Sequence, residues 1–558
     1  MIKEGKLWIA NDASGNNIAL SPKMANRHGL IAGATGTGKT VTLRVLAETF
    51  SEMGVPVFLS DVKGDIAGMC DAGIDSEDMR SRLERFSLKE AGFDYRAYPV
   101  NFWDVFGEKG IQLRTTISEM GPVLLSRILK LNDLQSDVLS IVYKIADDEG
   151  LLLVDTKDLK AMLNHVQENS KEYAADYGHI SPNTIGAIMR ALVALELDGG
   201  DRFFGEPALN INDLLSRDAS GLGNINILAS ESLVNNGTLY SMFLLWLLGE
   251  LFETLPEVGD MDRPKLVFFF DEAHLLFDGA SKSLMDKIEQ VVKLIRSKGV
   301  GVYFVTQNPR DIPDGVLAQL GNKVEHALHA YTPAEQKAVR AAADSFRANP
   351  GFDTMETIMS LGTGEALVSF LGEDGVPQIV QKAFILPPKS KFGSIDSARR
   401  EGVIKGSLLY GKYAESFDPD SAYEFLNRMG LEKVAEAVRQ KQEAAAEKER
   451  QKQETAEEKE RLKREAAEEK ERLRREAAEE KERQKRAAAE ERERQKQEAA
   501  ADRATKRAAK SVGSSVAGTV GREVGKTVGS SFGKFGKTLG GNLGASLGRG
   551  ILSTLFKL

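Results

Sequence analysis

Gly33-Ala34-Thr35-Gly36-Thr37-Gly38-Lys39-Thr40 meets every fixed position of the phosphate-binding loop pattern G-x-x-x-x-G-K-[ST]. Before it, His28-Gly29-Leu30-Ile31-Ala32 predicts a short buried strand; after it, Val41-Thr42-Leu43-Arg44-Val45-Leu46-Ala47 opens a helix with an apolar face. That context turns the pattern into a mechanism. Three glycines let successive backbone N–H groups converge on phosphate oxygens, and the following helix points its positive end at the same place. Lys39 is placed to reach the β- and γ-phosphates, and the Thr40 hydroxyl to ligate Mg²⁺. The nucleotide-binding set expected here is Gly33, Ala34, Thr35, Gly36, Thr37, Gly38, Lys39, Thr40 and Val41.

A second landmark is Lys265-Leu266-Val267-Phe268-Phe269-Phe270-Asp271-Glu272-Ala273-His274. Its apolar run reads as a central strand buried on both faces, with two acids at its carboxyl end. Asp271 is placed to share the Mg²⁺ shell with Thr40, and Glu272 to polarise the attacking water. Two acids could merely end a strand and cap the next helix, but the phosphate loop upstream favours the chemical reading. A further strand, Gly299-Val300-Gly301-Val302-Tyr303-Phe304-Val305-Thr306-Gln307, ends in an amide suited to contact the lytic water or the terminal phosphate. Arg296 precedes that strand, roughly 20 Å from Gln307 at about 3.3 Å per residue. If catalytic, it serves a neighbouring subunit's nucleotide; otherwise it is a solvated helix-end arginine favoured by the dipole.

The 558 residues exceed one compact core. The single cysteine, Cys70, excludes an intrachain disulfide and suits a reducing compartment. The start of the chain does not read as a secretory signal, and the apolar stretch 239–252 is too short to span a bilayer. A cytoplasmic protein is expected, with the inner membrane face as a peripheral site. Strand patterns near residues 7–10, 18–20, 55–61, 98–102, 224–229, 324–330, 365–371 and 378–385 alternate with helices, which predicts an α/β fold with a mostly parallel sheet. Residues 118–200 read as a helical insertion between core segments 1–117 and 201–430. His326 and His329 lack an accompanying Cys or carboxylate cluster and read as structural.

Asp61-Val62-Lys63-Gly64-Asp65 ends the second core strand, so its charges are expected near the nucleotide or a neighbouring subunit, the alternative being a solvated turn. With this stretch, and Leu361-Gly362-Thr363-Gly364-Glu365-Ala366-Leu367 further on, the chain resembles the HerA-like branch of the HerA/FtsK superfamily of P-loop motor ATPases. The resemblance covers roughly residues 20–410. It implies a RecA-like core, a homo-oligomeric and specifically hexameric ring, ATP and Mg²⁺ as cofactors, ATP hydrolysis at subunit interfaces, and DNA as a partner to be translocated. Archaeal relatives carry an N-terminal β-barrel that binds a nuclease; this chain leaves no room for one, so a DNA-end-processing role is not expected.

From residue 431 the composition changes. Residues 439–500 repeat every 11, with Glu457/Arg461, Glu468/Arg472 and Glu479/Arg483 in the favourable i, i+4 order, which predicts a charged helix over 431–510. Its seam of Leu462, Leu473 and scattered Ala and Gln is weak, favouring a solvated single helix over a tight coiled coil. Segment 511–558 carries glycines at near four-residue spacing with a basic excess. It reads either as a helix that packs on a protein partner or an anionic membrane, or as a glycine-rich coil.

Overall fold

The computed structural model describes residues 1–491 apart from 236, 260 and 278–281. In chain order the strands are β1 (Ile2–Lys3), β2 (Lys6–Asp12), β3 (Asn17–Leu20), β4 (Gly29–Ala32), β5 (Val57–Asp61), β6 (Val100–Asp104) and β7 (Ile111–Gln112). They continue with β8 (Ile225–Ala229), β9 (Leu266–Phe270), β10 (Val300–Thr306), β11 (Asn322–Glu325), β12 (Glu365–Ser369) and β13 (Gln381–Ile385). Among the described residues they form one 13-stranded sheet in the order β1-β2-β13-β12-β11-β4-β10-β9-β5-β8-β6-β7, with β3 on β2. From β11 to β7 every neighbour is parallel, whereas β12, β13 and the first strands pair antiparallel. The fold is thus α/β with a mostly parallel sheet.

Residue choice explains the layers. β4, β5, β8, β9 and β10 are buried along their whole length, as parallel strands covered on both faces must be. On one face, helix α1 (Lys39–Glu52) inserts Leu43, Leu46 and Phe50, and Phe50 packs edge-on to Tyr303 at 6.0 Å. On the other face Phe58 stacks on Phe268, and Phe270 on Phe304. The helix Gly237–Thr254 is apolar nearly all round and correspondingly buried, with Phe243, Trp246 and Leu247 fully enclosed. Among the described residues no helix is long and apolar enough to cross a membrane.

Between β7 and β8 lie the helices Ile117–Ile128, Asp133–Glu149, Thr156–Glu168, Ser170–Tyr177 and Pro182–Leu197. Three of them start with a reciprocal capping box, at Thr116/Glu119, Asn132/Gln135 and Asp155/Asp158.

Two readings need correction. The strand expected over 324–330 stops at Glu325. Beyond it the backbone follows the phosphate loop instead of β12: the His326 N–H donates to Ala32 O and the Ala34 N–H to Ala327 O, both at 2.8 Å. His326 and His329 therefore do not sit on a common strand. In the charged helix, Arg461 faces Glu465 and Arg472 faces Glu476, the reverse of the orientation read from sequence. Glu460/Arg464 and Glu471/Arg475 keep the favourable one.

That helix runs Ala422–Glu491, 70 residues, so it begins ahead of the composition change and extends roughly 105 Å at 1.5 Å per residue. It forms a unit of its own from Leu426 onward, apart from the compact unit that starts at Met1 and runs to Phe425. The glycine-spaced segment and the end of the repeat lie outside the described residues.

Phe269 is fully buried between Phe50 and Tyr303. Phe269→Ala is expected to cost about 3–5 kcal/mol of unfolding free energy in urea titration, since the cavity opens in the sheet centre; a loss under about 1 kcal/mol would refute the packing described.

Candidate functional site

Strand order assembles the site. β10 lies between loop-bearing β4 and acid-bearing β9, with Thr306 paired to Ala32 and Phe304 to Phe270. Gly33, Gln307 and Asp271 therefore leave the sheet at one edge, the carboxyl ends of the strands, where ligands bind open α/β sheets.

The phosphate loop needs its glycines. Gly33, Gly36 and Gly38 have φ of 146°, 79° and 121°, which L side chains rarely adopt. A side chain at Gly33 would also meet the His326 Cβ at 2.5 Å. His326 is fully buried beneath the loop, with Nε2 at 2.7 Å from the Thr42 hydroxyl and Nδ1 at 2.9 Å from Glu365 O. A carbonyl only accepts, so Nδ1 is assigned the proton and Nε2 accepts from Thr42. Burial pushes the His326 pKa down to about 4, which keeps the ring neutral. The Lys39 ammonium donates to Gly33 O at 2.6 Å and Ala34 O at 3.0 Å, inside the loop it serves. Burial lowers its pKa while Glu272 and Asp271 pull it up. Thr40 and Val41 are half-buried in the first turn of α1.

Asp271 and Glu272 are neighbours with opposite electrostatics. Burial, reinforced by the Glu272 charge, raises the Asp271 pKa to about 7. Its carboxyl accepts the Glu272 N–H at 3.0 Å, and Tyr240 holds its backbone carbonyl at 3.0 Å. A half-buried carboxyl that resists charging suits a cation, which would remove the penalty. With the Thr40 hydroxyl it offers hard oxygen donors of the kind Mg²⁺ takes, the rest of its shell coming from phosphates and water. Among the described residues no cluster of three or more His, Cys, Asp or Glu forms a closed metal cage.

Glu272 is 8% exposed and sits at φ 47°, an uncommon conformation for a non-glycine residue. Burial pushes its carboxyl up, yet Lys63 at 3.0 Å together with Gln307 and His274 more than offsets burial and leaves the pKa below the ordinary value. It therefore stays a carboxylate, able to accept a proton. Gln307 Nε2 donates to Glu272 Oε2 at 3.3 Å, while its Oε1 accepts from the Thr35 hydroxyl at 3.3 Å. One amide thus bridges the phosphate loop and the carboxylate.

Arg296 lies in a short turn, Arg296–Lys298, before β10, and the His28 ring at the start of β4 feels its charge. It stands at the amino edge of the sheet, roughly 20 Å along the strand from Gln307. The same chain's site does not include it. One participant, Lys63, carried no specific role in the sequence reading. It is one of the charges of Asp61-Val62-Lys63-Gly64-Asp65, expected near the nucleotide or a neighbouring subunit from their place at a strand's carboxyl end, and the Asp61 carboxylate that accepts from the Gly64 and Ile66 N–H groups sets its turn. His326, read from the sequence as structural, is so: a buried brace beneath the phosphate loop.

The family model described as Helicase HerA-like C-terminal matches residues 6–538. A probable helicase of Methanocaldococcus jannaschii, MJECL08, is 32% identical over 120 residues, 21% of each chain. The DNA double-strand break repair helicase HerA of Sulfurisphaera tokodaii is 23% identical over 385 residues, 66% of each chain. The chain thus spans from about a fifth to just under two thirds of these relatives' lengths. Among solved structures, plasmid coupling protein TrwB in complex with ADP and Mg²⁺ aligns over 67% of this chain and 88% of its own, at 16% identity and a TM-score of 0.45.

The raised Asp271 pKa has a measurable sign. The folded state binds this proton more tightly than the unfolded state, so Asp271 progressively destabilises the fold as pH rises from about 4 to about 7. Without divalent cations, Asp271→Asn is therefore expected to melt above the native protein at pH 8 and level with it at pH 4. Thermal unfolding in chelator checks this; a variant less stable at pH 8 would refute it.

Proposed function

The chain belongs to the helicase HerA-like C-terminal family, and on that premise we propose that it is an oligomeric, Mg²⁺-dependent ATPase motor that couples hydrolysis to DNA translocation or unwinding. The observation that carries the reading is the Gln307 amide held between Thr35 of the phosphate loop and Glu272. A group so placed senses both the terminal phosphate and the carboxylate that polarises water. Lys39 and the backbone of the loop hold the phosphates, while Thr40 and Asp271 hold Mg²⁺, which neutralises phosphate charge when bound. Glu272, kept ionised by Lys63, takes the proton of the attacking water. Homo-oligomerisation, in a hexameric ring, lets Arg296 act on the neighbouring subunit's nucleotide.

The second reading is an ATP-driven switch acting on a protein or an anionic membrane through the tail. The 70-residue helix, exposed throughout residues 431–472, favours it, since a solvated helix of that length acts as a spacer. Steady-state ATPase assays with and without double-stranded DNA separate the two. A motor on DNA is stimulated, and the stimulation falls steeply with salt as counterions are released. Activity indifferent to DNA, with liposome or partner binding lost on deleting residues 431–558, supports the switch instead.

Lys39→Ala is expected to abolish ATP turnover. Glu272→Gln is expected to bind ATP and lose roughly 10² to 10⁴ in rate, as removal of a general base does; loss of binding instead would assign Glu272 a structural role.

Arg296→Ala should lose about 10³-fold or more in rate, and mixing it with Lys39→Ala subunits should restore part of the activity. No recovery on mixing would remove the case for action across subunits.

A further inference from the structure

His28 stands at the amino end of β4, opposite the phosphate loop, and the chemistry above leaves it without a role. Its backbone sits at φ 55°, uncommon for a residue with a side chain, and the residue is 2% exposed. Both neighbouring strands hold it there. The His28 carbonyl accepts the Asn322 N–H at 3.1 Å and the Asn322 side-chain amide at 3.0 Å, which ties it to β11. Its ring reaches the opposite neighbour, β10, where Nδ1 accepts the Val302 N–H at 3.0 Å.

The bond from Val302 decides the tautomer. Burial pushes the His28 pKa down to about 4, with the Arg296 charge acting the same way, so the ring is neutral. A neutral imidazole that accepts at Nδ1 carries its proton at Nε2. Nε2–H is therefore a donor, buried and without a hydrogen-bond partner among the described residues. Such open donors are rare, and this one has a target. The ring faces the Val292 carbonyl, in the helix Lys282–Ile295 that runs directly into the Arg296–Lys298 turn. Val292 and Arg296 lie about one helical turn apart. The chain beyond the turn passes close by as well, since a Cβ at Gly301 would stand 2.7 Å from Ala25 O. A hydrogen bond completed from Nε2 would fix the Arg296 turn against β4.

We propose that His28 is a positioning residue for Arg296: its Nε2–H sets the Arg296 turn against the amino end of β4. This role rests on the reading of Arg296 as acting on the neighbouring subunit's nucleotide, and it adds what places the arginine. β4 then carries the phosphate loop at one end and the support of the outgoing arginine at the other.

The test uses full-length protein with Mg²⁺ and reads two quantities, the affinity for a non-hydrolysable ATP analogue by titration calorimetry and the steady-state ATP turnover number. His28→Asn keeps an acceptor where Nδ1 stands, tolerates the positive φ, and removes the donor at Nε2. It is expected to bind the analogue within about twofold of the native protein. Turnover should fall roughly 10²-fold, the cost of misplacing a group by about 1 Å. Mixing it with Lys39→Ala subunits should restore part of the rate, because each supplies what the other lacks. The double variant His28→Asn/Arg296→Ala should turn over within about twofold of Arg296→Ala alone, since a support without its arginine has nothing to place. Native turnover in His28→Asn beside a slow Arg296→Ala overturns the role of His28 and leaves that of Arg296 standing. Weakened analogue binding, no recovery on mixing, or losses that multiply in the double variant also overturn it, since His28 would then shape the phosphate loop or the core. Native turnover in Arg296→Ala overturns the reading of Arg296 itself, and with it the support.

Discussion

The site depends on one constraint, the parallel pairing of β10 between β4 and β9. Hydrogen-bond register fixes where each strand ends, and pairing Thr306 with Ala32 and Phe304 with Phe270 brings three chain reversals to one edge. A slip of one residue would turn the Phe270/Phe304 stack to the opposite face and separate Gln307 from Glu272. The aromatic layers on both faces therefore do more than fill space. They stack at the paired positions of this register, Phe58 on Phe268 and Phe270 on Phe304.

Within that frame, two adjacent acids acquire different chemistry from their surroundings. Asp271, half-buried beside the Glu272 charge, resists charging; Glu272, buried at positive φ, is paired with Lys63 and keeps its charge. Environments that push neighbouring pKa values apart are how acid and base roles are divided. One carboxyl is suited to a cation and the other to a proton.

The phosphate loop and the two acids were legible because their patterns are local: a glycine spacing and an apolar run ending in charge. The parallel sheet was legible from alternating strands and helices, and the family from the motifs at the strand ends. Lys63 was quoted but given no specific role, since its partner lies far along the chain and their meeting depends on β5 lying beside β9. The end of β11 was misread because Ala327 and Leu328 keep the apolar pattern of a strand while their backbone serves the phosphate loop. Segment 387–392, after β13, carries no motif, and only its hydrogen bonds to Glu48 and Arg44 give it a place.

The brace between Thr42 and His326 joins residues 284 positions apart, and the clip between Arg44 and Ser390 spans 346. Such contacts close late, after the entropy of large loops has been overcome, and they mark slow folding. During synthesis the phosphate loop emerges early, whereas β11, His326 and Ser390, which brace the loop and its helix, follow about 300 residues later or more. Competence to hold a ligand is therefore an end point of folding for the whole core.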